Sequence, residues 1–338
     1  MSEADRYSRQ IRFPPIGEAG QRKFSASQVG IAGMGALGTV VADQLVRAGV
    51  GRVRIIDRDH VELSNLQRQT LFDEDDVRGN LPKAVAAERK LLRINSGVRI
   101  ESSVDDLNSG NVEEWIDGLD LVLDGLDNFE TRFVLNDACR KAGVPWIYGA
   151  AVGSYGLVLP IIPEGPCLRC ALASLPPPGS SPTCDTQGVV APVTAIVGSL
   201  EVSRAMRILT GTLGVLDTRL TAFDVWTLRL QSVRITVDPA CPLCVRGETE
   251  YLSSVPLRSV TLCGRNAVQL IPRSRHDLDL VAMGRSLEVF GPVQSNEFLL
   301  RCPNPPYELT LFRDGRAIVS GTEEASVARS VYSRMVGA

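Results

Sequence analysis

The chain has 338 residues, 44% of them hydrophobic and 22% charged, with a formal net charge of −3. That size and composition fit a globular protein with a sizeable core, arranged as one large domain and a small one. The charge gives no support to nucleic-acid binding, and the absence of an apolar run of ~18 residues predicts no transmembrane helix and no membrane partner.

The N-terminal stretch MSEADRYSRQIRF is charged and lacks the apolar centre of a signal peptide, which points to the cytoplasm. Gln21 to Ser25 extends a short helix, and Arg9 and Arg12 read first as solvated surface charges. Val29 to Gly33 is a short apolar strand that runs into Gly33-Met34-Gly35-Ala36-Leu37-Gly38, a GxGxxG turn. Thr39 to Ala48 follows as a helix, and Val53 to Ile56 as a second strand that ends at Asp57. This is a βαβ unit that sets a phosphate chain on a helix N-terminus and ribose hydroxyls on an acid. Alone it does not separate NAD, FAD, S-adenosylmethionine and ATP, and an NAD-dependent oxidoreductase is the starting expectation.

The next stretch changes that. Asp59 to Thr70 reads DHVELSNLQRQT, and Lys83 follows. Asn65, Arg68 and Lys83 are suited to a triphosphate, because Arg offers a planar fork and Lys a point charge to phosphate oxygens. The alternative is an exposed polar loop. After Lys83 come a helix through Arg93, a strand at Val98 to Ile100, a short helix within Leu107 to Ile116 and a buried strand from Leu119 to Leu123. The last ends in Asp124-Gly125-Leu126-Asp127-Asn128. Asp127 sits where open parallel sheets hold ligands, and it also suits the N-cap of a helix over Asn128 to Ala142. Pro145 to Ala150 and Tyr155 to Ile162 are further strands, the second antiparallel because so little chain separates them.

Eight cysteines and two histidines are present. Cys167-x-x-Cys170 and Cys241-x-x-Cys244 supply a Cys₄ set for a structural Zn²⁺, with a thioredoxin-like redox pair as the rival. The histidines are too few for a catalytic network. Between the pairs lies a loop rich in Pro, Gly and Ser, with Cys184 shortly before an apolar helix from Ala191 to Leu209. A thiol near a helix N-terminus is more readily a thiolate, and otherwise it is an inert small side chain. Leu220 to Trp226 and Leu228 to Val237 read as a closing hairpin. Beyond about Ser254 the composition shifts. Val260 to Leu262 and Ala267 to Ile271 form a hairpin, Leu278 to Leu287 a helix, and Phe298 to Arg301, Tyr307 to Phe312 and Ala317 to Val319 strands. Glu323 to Met335 closes the chain as a helix, so that two hairpin-then-helix units suggest a pseudo-repeat. Cys263 and Cys302 read as filler.

Arg6-Tyr7-Ser8-Arg9-Gln10-Ile11, GMGALG, SNLQRQ, Lys83, DGLDN and the CLRC and CPLC pairs together resemble the ThiF/MoeB/HesA family, related to the adenylation domains of ubiquitin-activating enzymes. The resemblance spans about Arg6 to Cys244. It implies a Rossmann-like, mostly parallel α/β sheet with an antiparallel extension over residues 1–250, while the element pattern of residues 255–338 predicts a small α+β domain there. It implies ATP-dependent adenylation of the C-terminal glycine of a ubiquitin-like sulfur-carrier protein ending in Gly-Gly, in a cytoplasmic homodimer. By the same resemblance Gly33, Gly35 and Gly38 approach the phosphates, Asp57 binds the ribose, and Asn65, Arg68 and Lys83 contact the triphosphate. Asp127 supports Mg²⁺, Arg9 reaches across the dimer, and Cys184 matches the family's loop cysteine. No sulfurtransferase-like tail is evident, so a separate sulfur donor protein is expected. The alternative is an activating enzyme for a ubiquitin-like modifier with a thioester at Cys184. A scaffold without catalysis is disfavoured by Arg68, Lys83 and Asp127. The pathway stays open among thiamine, molybdopterin, cysteine and thiolated tRNA.

Overall fold

The computed structural model describes residues 3–172, 187–213, 218–253, 259–262, 266–271 and 277–336, and the structural statements here concern those residues. They group into two compact units. Residues up to Glu74 and from Pro82 onward to 253 form one, and the stretch Asp75–Leu81 groups with residues 259 onward in the other.

In the first unit, apolar runs give strands buried on both faces, as a helix-covered parallel sheet requires. β1 (Gln28–Ala32), β2 (Arg52–Ile56), β3 (Arg99–Ser103), β4 (Leu121–Asp124) and β5 (Trp146–Val152) are parallel. β6 (Tyr155–Ile161), β7 (Arg219–Asp224) and β8 (Arg229–Arg234) extend the sheet antiparallel, in the order β3-β2-β1-β4-β5-β6-β7-β8. The longer helices of this unit are α1 (Gly17–Ala26), α2 (Ala36–Ala48), α3 (Lys83–Ile94), α4 (Phe129–Ala142) and α5 (Ala191–Thr210). From β1 the chain proceeds outward to β2 and β3, then returns to the other side of β1 as β4. The order therefore reverses between β1 and β4, and their carboxyl ends open the crevice in which such sheets bind ligands.

Backbone contact shapes that crevice. Gly33 has φ +90°, and a Cβ there would lie 2.5 Å from the Gly125 carbonyl oxygen at the end of β4. Helix α2 begins at Ala36, earlier than the expected Thr39, because the turn runs directly into the helix. Gly38 thus falls in its first turn, where a Cβ would lie 2.0 Å from the Gly33 oxygen. At Gly35 the nearest atom to a Cβ is the Gly125 oxygen, 3.7 Å away, so packing does not require this glycine.

At the start of α4 the cap differs from expectation. Asn128, not Asp127, is the N-cap, and its side chain accepts a 2.8 Å bond from the Thr131 N–H. Asp127 is exposed at the crevice rim.

The second unit is a six-stranded antiparallel sheet in the order β11-β12-β13-β14-β10-β9. Its strands are β9 (Ser259–Leu262), β10 (Ala267–Leu270), β11 (Gln294–Ser295), β12 (Leu299–Asn304), β13 (Tyr307–Phe312) and β14 (Ala317–Ser320). Val268, Leu300, Leu309, Leu311 and Val319 share one core with Leu287 of α6 (Leu280–Leu287) and with Ala328, Val331 and Met335 of α7 (Ala325–Val336). The pseudo-repeat does not form two separate layers: β14 pairs with β10, so the first hairpin is the edge of one continuous sheet. Cys302 is buried filler, whereas Cys263 lies outside the described residues. Within this unit Asn296 Nδ2 donates to the carbonyls of Gly79 and Asn80, each at 2.9 Å, which ties the Asp75–Leu81 stretch to the sheet.

Asn128→Ala is expected to cost about 1 kcal/mol of stability, the usual value of an N-cap. Asp127→Ala should cost less; paired urea denaturation curves measure both.

Candidate functional site

Three buried charge arrangements converge on the ends of β1, β2 and β4. At the end of β2, Asp57 accepts the Met34 N–H of the glycine turn at 2.6 Å with one oxygen and the Asp59 N–H at 2.7 Å with the other. Burial pushes its carboxyl above the ordinary carboxylate range, and the Lys83 ammonium opposes that shift. Lys83 is not a solvated surface charge. It is 3% exposed at the first position of α3, with Nζ 3.0 Å from Asp59 Oδ2 and its own N–H bonded to the Asp59 carbonyl. Arg58 pairs with Asp106 at 2.8 Å beside them. Asp59, Arg58 and Asp106 were not singled out in the sequence; the DRDH run that follows β2 was the available signal.

Asn65 and Arg68 share the next turn. Asn65 closes the 3₁₀ turn Leu63–Asn65, its Oδ1 accepting the Glu62 N–H at 3.1 Å. Arg68 is half-buried and donates from Nη1 to the Ser64 carbonyl at 2.9 Å. Arg9 is exposed on the short helix Ser8–Ile11, and Cys184 lies outside the described residues.

The loop after β4 rests on a brace. Asp124, fully buried, accepts the Leu126 N–H at 2.8 Å and the Arg132 Nε–H at 2.8 Å. Arg132 Nη2 donates to the Leu126 carbonyl at 2.7 Å and to the Gly149 carbonyl of β5 at 2.9 Å. Its guanidinium lies 5.2 Å from the Tyr148 ring centroid. A buried pair is costly to desolvate, and the extra bonds to loop and strand offset that cost while fixing the Gly125–Asp127 backbone.

The two cysteine pairs meet. Cys167 Sγ lies 3.9 Å from Cys170 Sγ and 3.6 Å from Cys241 Sγ, and Cys170 Sγ lies 3.7 Å from Cys244 Sγ. All four sulfurs fall within 4.8 Å of one another. A tetrahedron with Zn–S bonds of ~2.3 Å has S···S edges of about 3.8 Å, so these three separations fit four sulfurs able to hold one metal ion and are far from a bonded disulfide. Backbone donors already face the sulfurs: Asp238 N–H to Cys170 at 3.5 Å, and Cys244 N–H to Cys241 at 3.4 Å. The knuckle is fastened to α4 through the Leu168 N–H, 2.8 Å from Asn136 Oδ1. Nearby, Asp137 of α4 accepts the Tyr251 N–H at 2.9 Å, and Arg169 pairs with Glu250 at 3.1 Å.

The sequence profile of the ThiF family matches residues 7–243. The chain belongs to the ThiF family. Among its ThiF-family relatives, the sulfur carrier protein ThiS adenylyltransferase of Bacillus subtilis (strain 168) is 43% identical over 337 residues, covering 98% of this chain and 99% of its own length. The SAMP-activating enzyme E1 of Haloferax volcanii is 36% identical, covering 75% of this chain and 93% of its own. The crystal structure of E. coli MccB shares the fold with a TM-score of 0.62 at 24% identity, over 72% of this chain and 73% of that one. No described helix of this ThiF-family chain is long and apolar enough to cross a membrane.

Burial raises the Asp137 carboxyl from 3.8 to about 6. The folded state therefore holds that proton more tightly than the unfolded chain, and Asp137 lowers stability as pH rises through that window. Asp137→Asn is expected to flatten the decline of melting temperature between about pH 4 and about pH 7, read by thermal scans across that range.

Proposed function

We propose that the chain catalyses ATP-dependent adenylation of the C-terminal glycine of a ubiquitin-like sulfur-carrier protein, in preparation for thiocarboxylate formation. The observation that carries this reading is end-to-end similarity to an enzyme named as a sulfur-carrier adenylyltransferase, in a chain whose crevice is lined by glycine backbone, Asp57 and Lys83. The relatives' named activities favour nucleotidyl transfer over the hydride chemistry that a glycine turn alone permits.

In this reading ATP lies across the Gly33–Gly38 turn. Gly33 and Gly38 are required by packing, and Gly35, which packing leaves free, keeps room for a phosphate. An ionised carboxylate offers about four lone-pair sites. Two on Asp57 are taken by Met34 and Asp59, and the remainder serve the ribose hydroxyls. Asn65 commits its oxygen to Glu62 and keeps its amide nitrogen for a phosphate oxygen. Arg68 and Lys83 neutralise the triphosphate, and Asp127 holds Mg²⁺. Arg9, exposed on its short helix, serves the neighbouring site of a homodimer. The carrier's terminal carboxylate attacks the α-phosphorus and pyrophosphate leaves with the displaced electron pair. The nucleophile is already ionised at neutral pH, so no general base is needed, and catalysis consists of alignment and charge stabilisation. The four cysteines hold a structural Zn²⁺, a separate protein donates the sulfur, and the reaction takes place in the cytoplasm. We assign residues 1–250 to adenylation and residues 255–338 to a separate small domain.

A second reading rests on the similarity to the SAMP-activating enzyme E1: a ubiquitin-like modifier passes from the adenylate to a thioester on Cys184. Cys184→Ala then abolishes the thioester while adenylate still forms.

ATP–pyrophosphate exchange is expected only with a carrier ending in Gly-Gly, and a carrier lacking its last glycine should give none. Arg68→Ala is expected to lower that exchange by about 10²-fold, the usual effect of removing one charge-stabilising donor. Exchange that ignores the carrier removes the proposed substrate. For the metal, elemental analysis is expected to find one zinc per chain in the wild type and none in Cys244→Ser, with a lower melting temperature in the variant.

A further inference from the structure

Helix α5 carries a carboxyl group into the middle of the first unit. Gly198 lets the helix approach α2, where a Cβ would lie 2.9 Å from Val40, and Val197 fills the space left by Gly156 of β6. One turn on, Glu201 has no exposed surface. Its carboxyl occupies the space that a side chain at Gly149 would need: a Cβ there would lie 2.0 Å from Glu201 Oε1. Neither oxygen makes a well-formed hydrogen bond; the Asp124 backbone is the polar group nearest to supplying one. An apolar side chain would fill such a place at less cost.

Glu201 adjoins the brace under the crevice loop. Gly149, which makes room for it, accepts from Arg132 through its carbonyl, and Arg132 and Asp124 between them bind both the N–H and the carbonyl of Leu126. We propose that Glu201 is a positioning residue of the nucleotide site: from behind the sheet it steadies the Asp124–Arg132 pair and, through it, the loop that presents Asp127. The inference rests on Asp127 being a Mg²⁺–ATP residue.

The charged groups that face Glu201 are Asp124 of β4 and Arg132 of α4, with the Tyr148 hydroxyl of β5 beside Arg132. α2 and β6 meet α5 here through Val40 and Gly156, and Lys23 of α1 bonds the far end of the helix at the Thr210 carbonyl. Burial first, and Asp124 second, push the Glu201 carboxyl well above the ordinary range. In its protonated form the acid leaves the Asp124–Arg132 pair balanced. Ionisation sets a second negative charge beside Asp124 and loosens the brace. Because the folded state holds this proton more tightly than the unfolded chain, the group's contribution to stability falls as pH climbs above the ordinary glutamate range.

The test is calorimetric titration of the full-length protein with ATP at graded Mg²⁺, for wild type, Glu201→Ala, Glu201→Gln and Asp127→Asn. Glu201→Ala is expected to weaken Mg²⁺–ATP binding about tenfold near pH 7, and the neutral isostere Glu201→Gln to rescue it to within about twofold. Wild-type affinity is expected to decline as pH rises far enough to ionise Glu201, and Glu201→Gln to remove that decline. A Glu201→Ala protein that melts lower but binds Mg²⁺–ATP as wild type does, while Asp127→Asn is impaired, overturns the positioning role alone. Unimpaired Asp127→Asn overturns the nucleotide-site reading instead. If Glu201→Ala does not fold, an affinity decline in Glu201→Gln that matches wild type overturns the proposal.

Discussion

The backbone contact between two turns is the constraint from which the rest of the crevice follows. Gly33 after β1 and Gly125 after β4 approach so closely that a Cβ on either would meet the other's carbonyl, at 2.5 Å and 2.3 Å. Only the reversal of strand order between β1 and β4 brings these two ends side by side. With the turns in contact, the N-terminus of α2 and the loop after β4 face a common space, and the Met34 N–H reaches Asp57 on the next strand.

Around that contact the chain buries charge rather than leaving it in water. Lys83 is held by Asp59, and Arg132 by Asp124 and two backbone carbonyls. Such pairs contribute little net stability, because desolvation consumes most of the attraction. Their value is geometric. Each pins a side chain that would otherwise sample many rotamers, so the crevice is arranged before any ligand arrives. Glu201 differs from these pairs: it is buried beside the Asp124–Arg132 brace without a well-formed hydrogen bond to either oxygen, at a cost in stability.

Much of this was legible in the sequence, and the gaps have physical causes. The glycine turn, Asp57 and the parallel strands declare themselves through local periodicity and composition. Lys83 is ambiguous locally, because its burial depends on Asp59, and a run such as DHVELSNLQRQT does not say which polar residue turns inward. In DGLDN the eye falls on Asp127, yet Asp124 carries the structural bonds and Asn128 caps the helix. Glu201 lies on a helix that also carries Ser203, Arg204 and Arg207, so the sequence does not mark it as the polar residue that turns inward. The cysteine pairs are plain as pairs, but their meeting depends on the whole intervening chain. In the small domain, the hairpins and helices are local and visible, whereas the pairing of β14 with β10 that merges them is not.

The sulfur cluster has a topological consequence. Cys167 and Cys241 are separated by 74 positions. With a metal held between them, everything in that interval, α5 included, becomes a closed ring rather than an open strand. By the loop-closure relation used for cross-links, such a ring restrains the unfolded chain by about 4 kcal/mol. A protease cut inside the interval would leave two fragments still joined through the metal, a link that a chelator, rather than a reductant, would remove.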